Sequence, residues 1–281
     1  MNSTSTDQRV TGVWRIPGIR NALRRAYALF PWVVFFALRV AFPLRPGGRS
    51  QFLERFAVPY EQAVYLIGRD HWEQKVLTLG LRGCQRALDL GCGSGQWLSL
   101  LAKHNVEVVG GDLDRRLIRI AQEGVQGTNN VSLTQMRAET TCFTARSFDL
   151  VLCYSVLMYT DADEVMREIE RLLIPGGKLV VGLVGAGYYL KHVVEGAKFR
   201  DIKAVRYGVG PLLARAIQLM LARRRDSAVT YWTTRRVERL IKQNGFDVVS
   251  IRADRKVPDW PDAYLGTRFY FCVEARRRPD A

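Results

Sequence analysis

The 281-residue chain is poor in the residues that build metal and disulfide proteins. Its five cysteines (Cys84, Cys92, Cys142, Cys153, Cys272) form no CxxC pair, and His71, His104 and His192 are widely dispersed. This spacing argues against a structural zinc site, offers no disulfide framework and fits a reducing cytosol. A long uncharged apolar run is also missing. The longest near the N-terminus, Ala26–Leu38, has 13 residues, short of the ~20 that span a bilayer. A secretory leader fits poorly, because the charged leader is long and no A-x-A site follows. Global disorder is excluded by 48% apolar composition. Internal repeats are absent.

Charge is present in excess and unevenly placed. The formal net charge is +15. Residues 1–50 carry eight arginines against Asp7 alone, and residues 191–225 carry nine Lys or Arg against Glu195 and Asp201. The stretch between them, 51–190, is near neutral. The basicity therefore sits on two segments outside the central region and favours anionic surfaces. Within 14–47, aromatic and aliphatic residues alternate with Arg20, Arg24, Arg25, Arg39 and Arg45. That composition suits either a segment lying in a membrane interface or helices packed as a lid.

The central region alternates strands and helices. Helices are expected near 59–68 and 71–80, then a strand at Arg86–Leu90, a helix at Ser94–Lys103 and a strand at Val106–Gly111. A helix at Asp114–Glu123 and strands at Val131–Met136 and Phe148–Tyr154 follow. Thr160 can cap a helix carrying Val165, Ile169 and Leu172, and Pro175-Gly176-Gly177 stops it before a strand at Lys178–Val184. After a basic, aromatic insert over 185–228, a helix at 234–244 closes on Gly245. Strands near Phe246–Arg252 and Arg268–Glu274 complete seven. Continuous apolar strands between amphipathic helices predict an α/β fold: a mostly parallel, Rossmann-like sheet covered on both faces. The N-terminal extension is assigned to 1–50 and the main domain to 51–281.

Residues 86–101 read RALDLGCGSGQWLSLL. A dinucleotide turn needs G-x-G-x-x-G, but after Gly91 and Gly93 the third place is Gln96; from Gly93 and Gly95 it is Leu98. A P-loop needs a glycine and a lysine where Gln96 and Trp97 stand. What remains is D-x-G-x-G-x-G: Asp89, Gly91, Gly93, Gly95. This resembles the first motif of the class I S-adenosylmethionine-dependent methyltransferases. An acid suited to a ribose diol should end the next strand, and Asp112 does, 21 residues beyond Gly91. The resemblance continues through Ser147-Phe148-Asp149-Leu150-Val151, Arg171–Gly177, Thr233–Arg236 and Asn244-Gly245-Phe246. It implies an S-adenosylmethionine site at Asp89, Gly91, Cys92, Gly93, Gly95, Asp112, Leu113, Ala138, Glu139 and Tyr154, with Asp89 near the ligand's amino group. One position departs from the family. Many members carry an acid near adenine where this chain has Arg137, which cannot accept a hydrogen bond. Glu139 or backbone near Ala138 would have to take that contact.

Methyl transfer needs alignment of a nucleophile more than a catalytic dyad. The candidate residues beyond the carboxyl ends of the strands are His192 as a base, with Tyr154 and Tyr188 beside the acceptor. A D/N-P-P-Y/F motif is absent, the fourth strand ending Cys153-Tyr154-Ser155-Val156. No Pro-Cys pair or RNA-binding module is recognisable either, which disfavours nucleic acid. Apolar residues mixed with cations suit a small hydrophobic or lipid-like acceptor at an anionic, cytoplasmic membrane face. A soluble specialised metabolite, with the N-terminus as lid or homodimer contact, and a non-catalytic module that kept the fold are the alternatives.

Overall fold

The central strands of a seven-stranded sheet are apolar on both faces and have to be covered on both sides, whereas its two edge strands are partly exposed. The computed structural model describes residues 69–221, 231–254 and 261–279. The expected extension over 1–50, the interfacial segment 14–47 and the helix near 59–68 lie outside the described residues.

A helix, α1 (Arg69–Thr78), leads to β1 (Arg86–Leu90), then α2 (Leu98–Ala102), β2 (Glu107–Asp112), α3 (Arg115–Gly124) and β3 (Val131–Gln135). Next come β4 (Phe148–Tyr154), α4 (Ala162–Leu172), β5 (Leu173–Val184) and two helices of the insert, α5 (Ala186–Lys198) and α6 (Ile202–Leu221). The chain continues with α7 (Thr234–Gln243), β6 (Phe246–Ala253), a short hairpin of β7 (Ala263–Tyr264) and β8 (Thr267–Arg268), and β9 (Tyr270–Arg277). The main sheet has the order β3-β2-β1-β4-β5-β9-β6. All neighbours are parallel except β9, which runs antiparallel to both β5 and β6. Its core includes Leu88, Leu90, Val108, Leu150, Leu152, Val180, Val181 and Val273, all fully buried.

Several boundaries differ from the sequence expectation for identifiable reasons. The helix expected from Ser94 begins only at Leu98, because Gly93 and Gly95 hold φ values of +56° and +90° that a helix cannot continue through. Asp161, not Thr160, caps α4, accepting from the backbone N–H groups of Asp163 and Glu164 at 3.0 Å each. Carboxylate caps are worth about 1 kcal/mol, and Asp163 and Glu164 in the first turn favour the same end. The Pro175-Gly176-Gly177 turn does not delay β5. The strand starts at Leu173, paired with Phe148, and the register to β4 shifts across that turn. The last strand begins at Tyr270, because residues 263–268 fold as the hairpin first.

The strand order reverses between β1 and β4, where Asp89 lies opposite Leu152. Open α/β sheets bind ligands in the crevice at the carboxyl ends of such strands.

Candidate cofactor and acceptor site

β1 ends in the glycine loop. Gly91 has φ +77°, and a Cβ there would collide with the Val156 side chain. Both the Gly91 and Cys92 N–H groups donate to the Gly111 carbonyl, at 2.7 and 3.0 Å. Gly95 sits so close to α3 that a Cβ would lie 3.0 Å from that of Ala121. The loop is thus pinned against the end of β2, the turn after β4 and α3.

Asp89 lies directly beneath it, 1% exposed, and among the described residues neither of its carboxylate oxygens has a hydrogen-bond partner. Burial, and then the charge of Asp112, push its pKa up to about 8. Burying a carboxylate without a counter-charge is costly, so this arrangement fits a cationic ligand group. The same surroundings raise the Cys92 thiol well above its ordinary value, first by burial and then through Asp89 and Asp112. It stays protonated and unreactive.

Asp112 ends β2 and is half-buried. Its Oδ2 accepts from Gly93 N–H at 2.9 Å and its Oδ1 from Asp114 N–H at 2.9 Å. A carboxylate has lone pairs left after two such bonds. Leu113, next in the chain, is 59% exposed. Its carbonyl accepts from Gln135 Nε2 at 3.0 Å. Arg137 is exposed and its guanidinium lies 3.6 Å from the Glu139 carboxylate, whose side chain is only 13% exposed. Ala138 is half-buried between them.

Across the switch point, β4 ends in Tyr154. Its ring lies over Gly182, where a Cβ would overlap it, and meets Trp97 edge-on at 5.2 Å. Its hydroxyl donates to Asp254, which pairs with Lys75 of α1. Burial and Asp254 hold the Tyr154 phenol far above its ordinary pKa, so the hydroxyl is a donor. Ser155 follows with φ +62° and a buried hydroxyl that has no partner among the described residues. Positive φ at a non-glycine residue of this kind is strained.

The insert closes the carboxyl edge with rings. Tyr188, Tyr189 and His192 on α5, Tyr207 on α6, and Phe269 and Tyr270 at the head of β9 form one cluster. Tyr188 meets His192 at 4.7 Å and Phe269 at 5.4 Å, while His192 meets Tyr207 at 5.1 Å. Burial, then Lys191, lowers the His192 pKa to about 4. It is neutral at physiological pH. The Tyr189 phenol is held above its ordinary value by burial and by Tyr207 and Tyr159. Tyr159 belongs to the turn after β4, bonded through its N–H to the Val156 carbonyl at 2.9 Å. The turn 155–159 therefore links the glycine loop to the ring cluster.

The expected residues fall into two groups. Asp89, Gly91, Cys92, Gly93, Gly95, Asp112 and Leu113 converge on one end of the sheet, with Ala138 and Glu139 on the chain beyond β3. Tyr188 and His192 join the rings on the other side, and Tyr154 turns towards Asp254 beneath them. Sequence reading missed Ser155, Tyr207, Asp254, Lys75, Phe269 and Tyr270. Asp254 could have been suspected because it directly follows a strand; nothing local marked Lys75 as its partner. Among the described residues no group of His, Cys, Asp or Glu could hold a metal ion.

Comparisons with known proteins agree with this geometry. The profile of the methyltransferase domain family matches residues 88–181. A demethylmenaquinone methyltransferase from Lactobacillus johnsonii is 32% identical over 136 residues, covering 44% of this chain and 56% of the relative. A ubiquinone/menaquinone biosynthesis C-methyltransferase from Pseudoalteromonas translucida is 30% identical over 115 residues, covering 38% and 46%. The chain spans about half the length of these curated relatives. Among solved structures, a SAM-dependent methyltransferase from Methanosarcina mazei superposes with TM-score 0.51 at 21% identity, covering 69% of this chain and 93% of its own. One from Thermotoga maritima gives 0.53 at 19%, covering 81% and 98%. At such identities the structures speak for the fold. Residues 88–181 carry a methyltransferase domain, set in the fold of the class I S-adenosylmethionine-dependent methyltransferases, which implies S-adenosylmethionine as the cofactor.

Proposed function

We propose that the protein methylates a small hydrophobic, lipid-like acceptor, held against the ring cluster at the cytoplasmic face of a membrane. The observation that carries the cofactor half is Asp89, a buried carboxylate whose two oxygens meet no donor among the described residues. A cationic amino group would supply the missing counter-charge. When bound, S-adenosylmethionine supplies an electrophilic methyl group on a sulfonium centre. Asp89 would take its amino group, Asp112 the ribose hydroxyls and Leu113 one face of the adenine. Gly91, Gly93 and Gly95 leave the backbone open to close approach, with Cys92 contributing its main chain. Arg137 points outward and engages Glu139, so the adenine edge falls to backbone groups near Ala138 and Glu139.

On the acceptor side the rings exclude water and offer a largely apolar wall. His192 is the one nitrogen base among them. Held neutral, it can accept the proton released from an acceptor oxygen or nitrogen. Tyr188 packs edge-on against His192 and orients it. Tyr154 anchors the end of β4 through Asp254 and Lys75. The relatives named for quinone methylation support an acceptor of this character. Among the described residues no helix is long and apolar enough to cross a membrane. Titration calorimetry with S-adenosylmethionine is the test: micromolar binding that is lost in Asp89→Ala is expected, and no binding to the wild-type chain would overturn the enzyme reading.

A further inference from the structure

The outer end of the insert has chemistry that neither the cofactor site nor the ring cluster uses. α5 and α6 run antiparallel and pack closely. A Cβ on Gly196 would lie 2.9 Å from Val205 N, and one on Gly208 2.9 Å from Val193 N. That contact uses the facing sides of the two helices and leaves the connecting turn exposed. Residues 198–203 (Lys198, Phe199, Arg200, Asp201, Ile202, Lys203) are all exposed. Ile202 is 74% exposed and Phe199 56%. Lys198 Nζ lies 5.6 Å from the Phe199 ring, and Lys203 and Arg206 add exposed cations on the first turn of α6. The one acid in this stretch is used by the backbone: Asp201 Oδ1 accepts from Lys203 N at 3.0 Å and Ala204 N at 3.1 Å, capping α6. Exposed Val194, Tyr207 and Leu213 extend the apolar surface along the two helices.

A turn meant only for water has no use for a phenylalanine and an isoleucine at its tip. A nucleic-acid contact would use the cations but leave the aliphatic side chain in water. Apolar tips ringed by cations match the boundary between lipid headgroups and acyl chains: the apolar groups enter, and Lys or Arg heads stay with the phosphates. We infer that the α5–α6 turn docks the protein on an anionic bilayer, with Phe199 and Ile202 inserted and Lys198, Arg200, Lys203 and Arg206 at the headgroups. The same two helices carry Tyr188, His192 and Tyr207, so docking would present the ring cluster to molecules dissolved in the lipid. This rests on the proposal that the acceptor is lipid-like.

The test uses the full chain and vesicles of phosphatidylcholine with or without phosphatidylglycerol, read by co-sedimentation. Wild-type protein should bind the anionic vesicles and bind neutral ones far more weakly. The double variant Phe199→Ser/Ile202→Ser and the charge variant Lys198→Glu/Lys203→Glu should each weaken binding by on the order of tenfold or more. Both should bind S-adenosylmethionine as wild type does, which shows that they fold. Unchanged vesicle binding in both variants overturns the docking turn while leaving the lipid-like acceptor intact. Binding lost only in the charge variant, and competed by bulk RNA, would overturn it in favour of a polyanion site. A wild-type chain that ignores anionic vesicles but transfers methyl groups to an organic-soluble acceptor would overturn docking alone.

Discussion

The carboxyl groups of Asp89 and Asp112 share one end of the sheet, and among the described residues only that of Asp112 finds hydrogen-bond donors. Asp112 accepts two backbone N–H groups, whereas burial, and then the charge of Asp112, raise Asp89 to about 8. The pair is asymmetric: one carboxylate ties the loop to β2, and the other is the one proposed to meet the cofactor's amino group.

Removing that charge should cost cofactor affinity. Asp89→Asn is expected to weaken S-adenosylmethionine binding by on the order of a hundredfold, the scale of one charge-assisted hydrogen bond. Calorimetry on the purified variant checks this.

Asp89 also predicts a pH dependence of stability. Its folded pKa lies above the ordinary value of 3.8, so the folded state holds an extra proton between the two. The ligand-free protein should therefore lose stability as pH rises from about 4 to about 8 and flatten above. Cofactor binding, which needs the carboxylate, should strengthen with pH over about 6 to 7.5. Denaturant titrations at several pH values, with Asp89→Asn as the flat control, separate this group from others.

Gly91→Ala should damage both folding and cofactor binding. The residue has φ +77° and its Cβ would strike Val156, so about 1–3 kcal/mol of stability is at stake. Thermal unfolding with and without cofactor measures it. A side chain at Gly83 would meet nothing, yet its φ of +75° makes Gly83→Ala a conformational control for the steric part.

In the Lys75–Asp254–Tyr154 chain the ion pair is buried, with side-chain exposures of 7% and 4%, and Tyr154 is half-buried. Lys75→Met would remove a buried cation that pairs with Asp254 and is expected to cost up to about 3–5 kcal/mol. Tyr154→Phe removes one donor and should cost about 1–3 kcal/mol. Chemical denaturation of both variants orders the two effects.

Much of this was legible from the residues. The alternation of apolar runs was enough to specify a Rossmann-like sheet, and Gln96 removed the dinucleotide and P-loop readings; the cofactor class came from the family resemblance of Asp89, Gly91, Gly93 and Gly95. Asp112 could be placed because it ends a strand at a fixed distance from the loop. The short form of α2 was not legible, because helical periodicity from Ser94 onward outweighs positive φ angles that only the folded loop imposes. Nor were the contacts of Tyr154: Asp254 is 100 residues away in sequence, and such pairs depend on strand order. The ring cluster combined two visible members, Tyr188 and His192, with Phe269 and Tyr270, which join only because β9 runs antiparallel beside β5.

The acceptor proposal implies a role for His192 that its surroundings make measurable. It is lowered to about 4, so it stays neutral above about pH 5 and its titration should not limit turnover there. His192→Gln is expected to reduce kcat by about 100-fold or more, with cofactor affinity unchanged. An equal loss in both quantities would mark a structural role.

The most direct measurement is transfer of a radiolabelled methyl group from S-adenosylmethionine to acceptors in a membrane extract, followed by partition between organic and aqueous phases. Label recovered in the organic phase, absent with Asp89→Ala, is the expected result. Label confined to water-soluble products, or no transfer by a chain that binds the cofactor, would contradict a lipid-like acceptor.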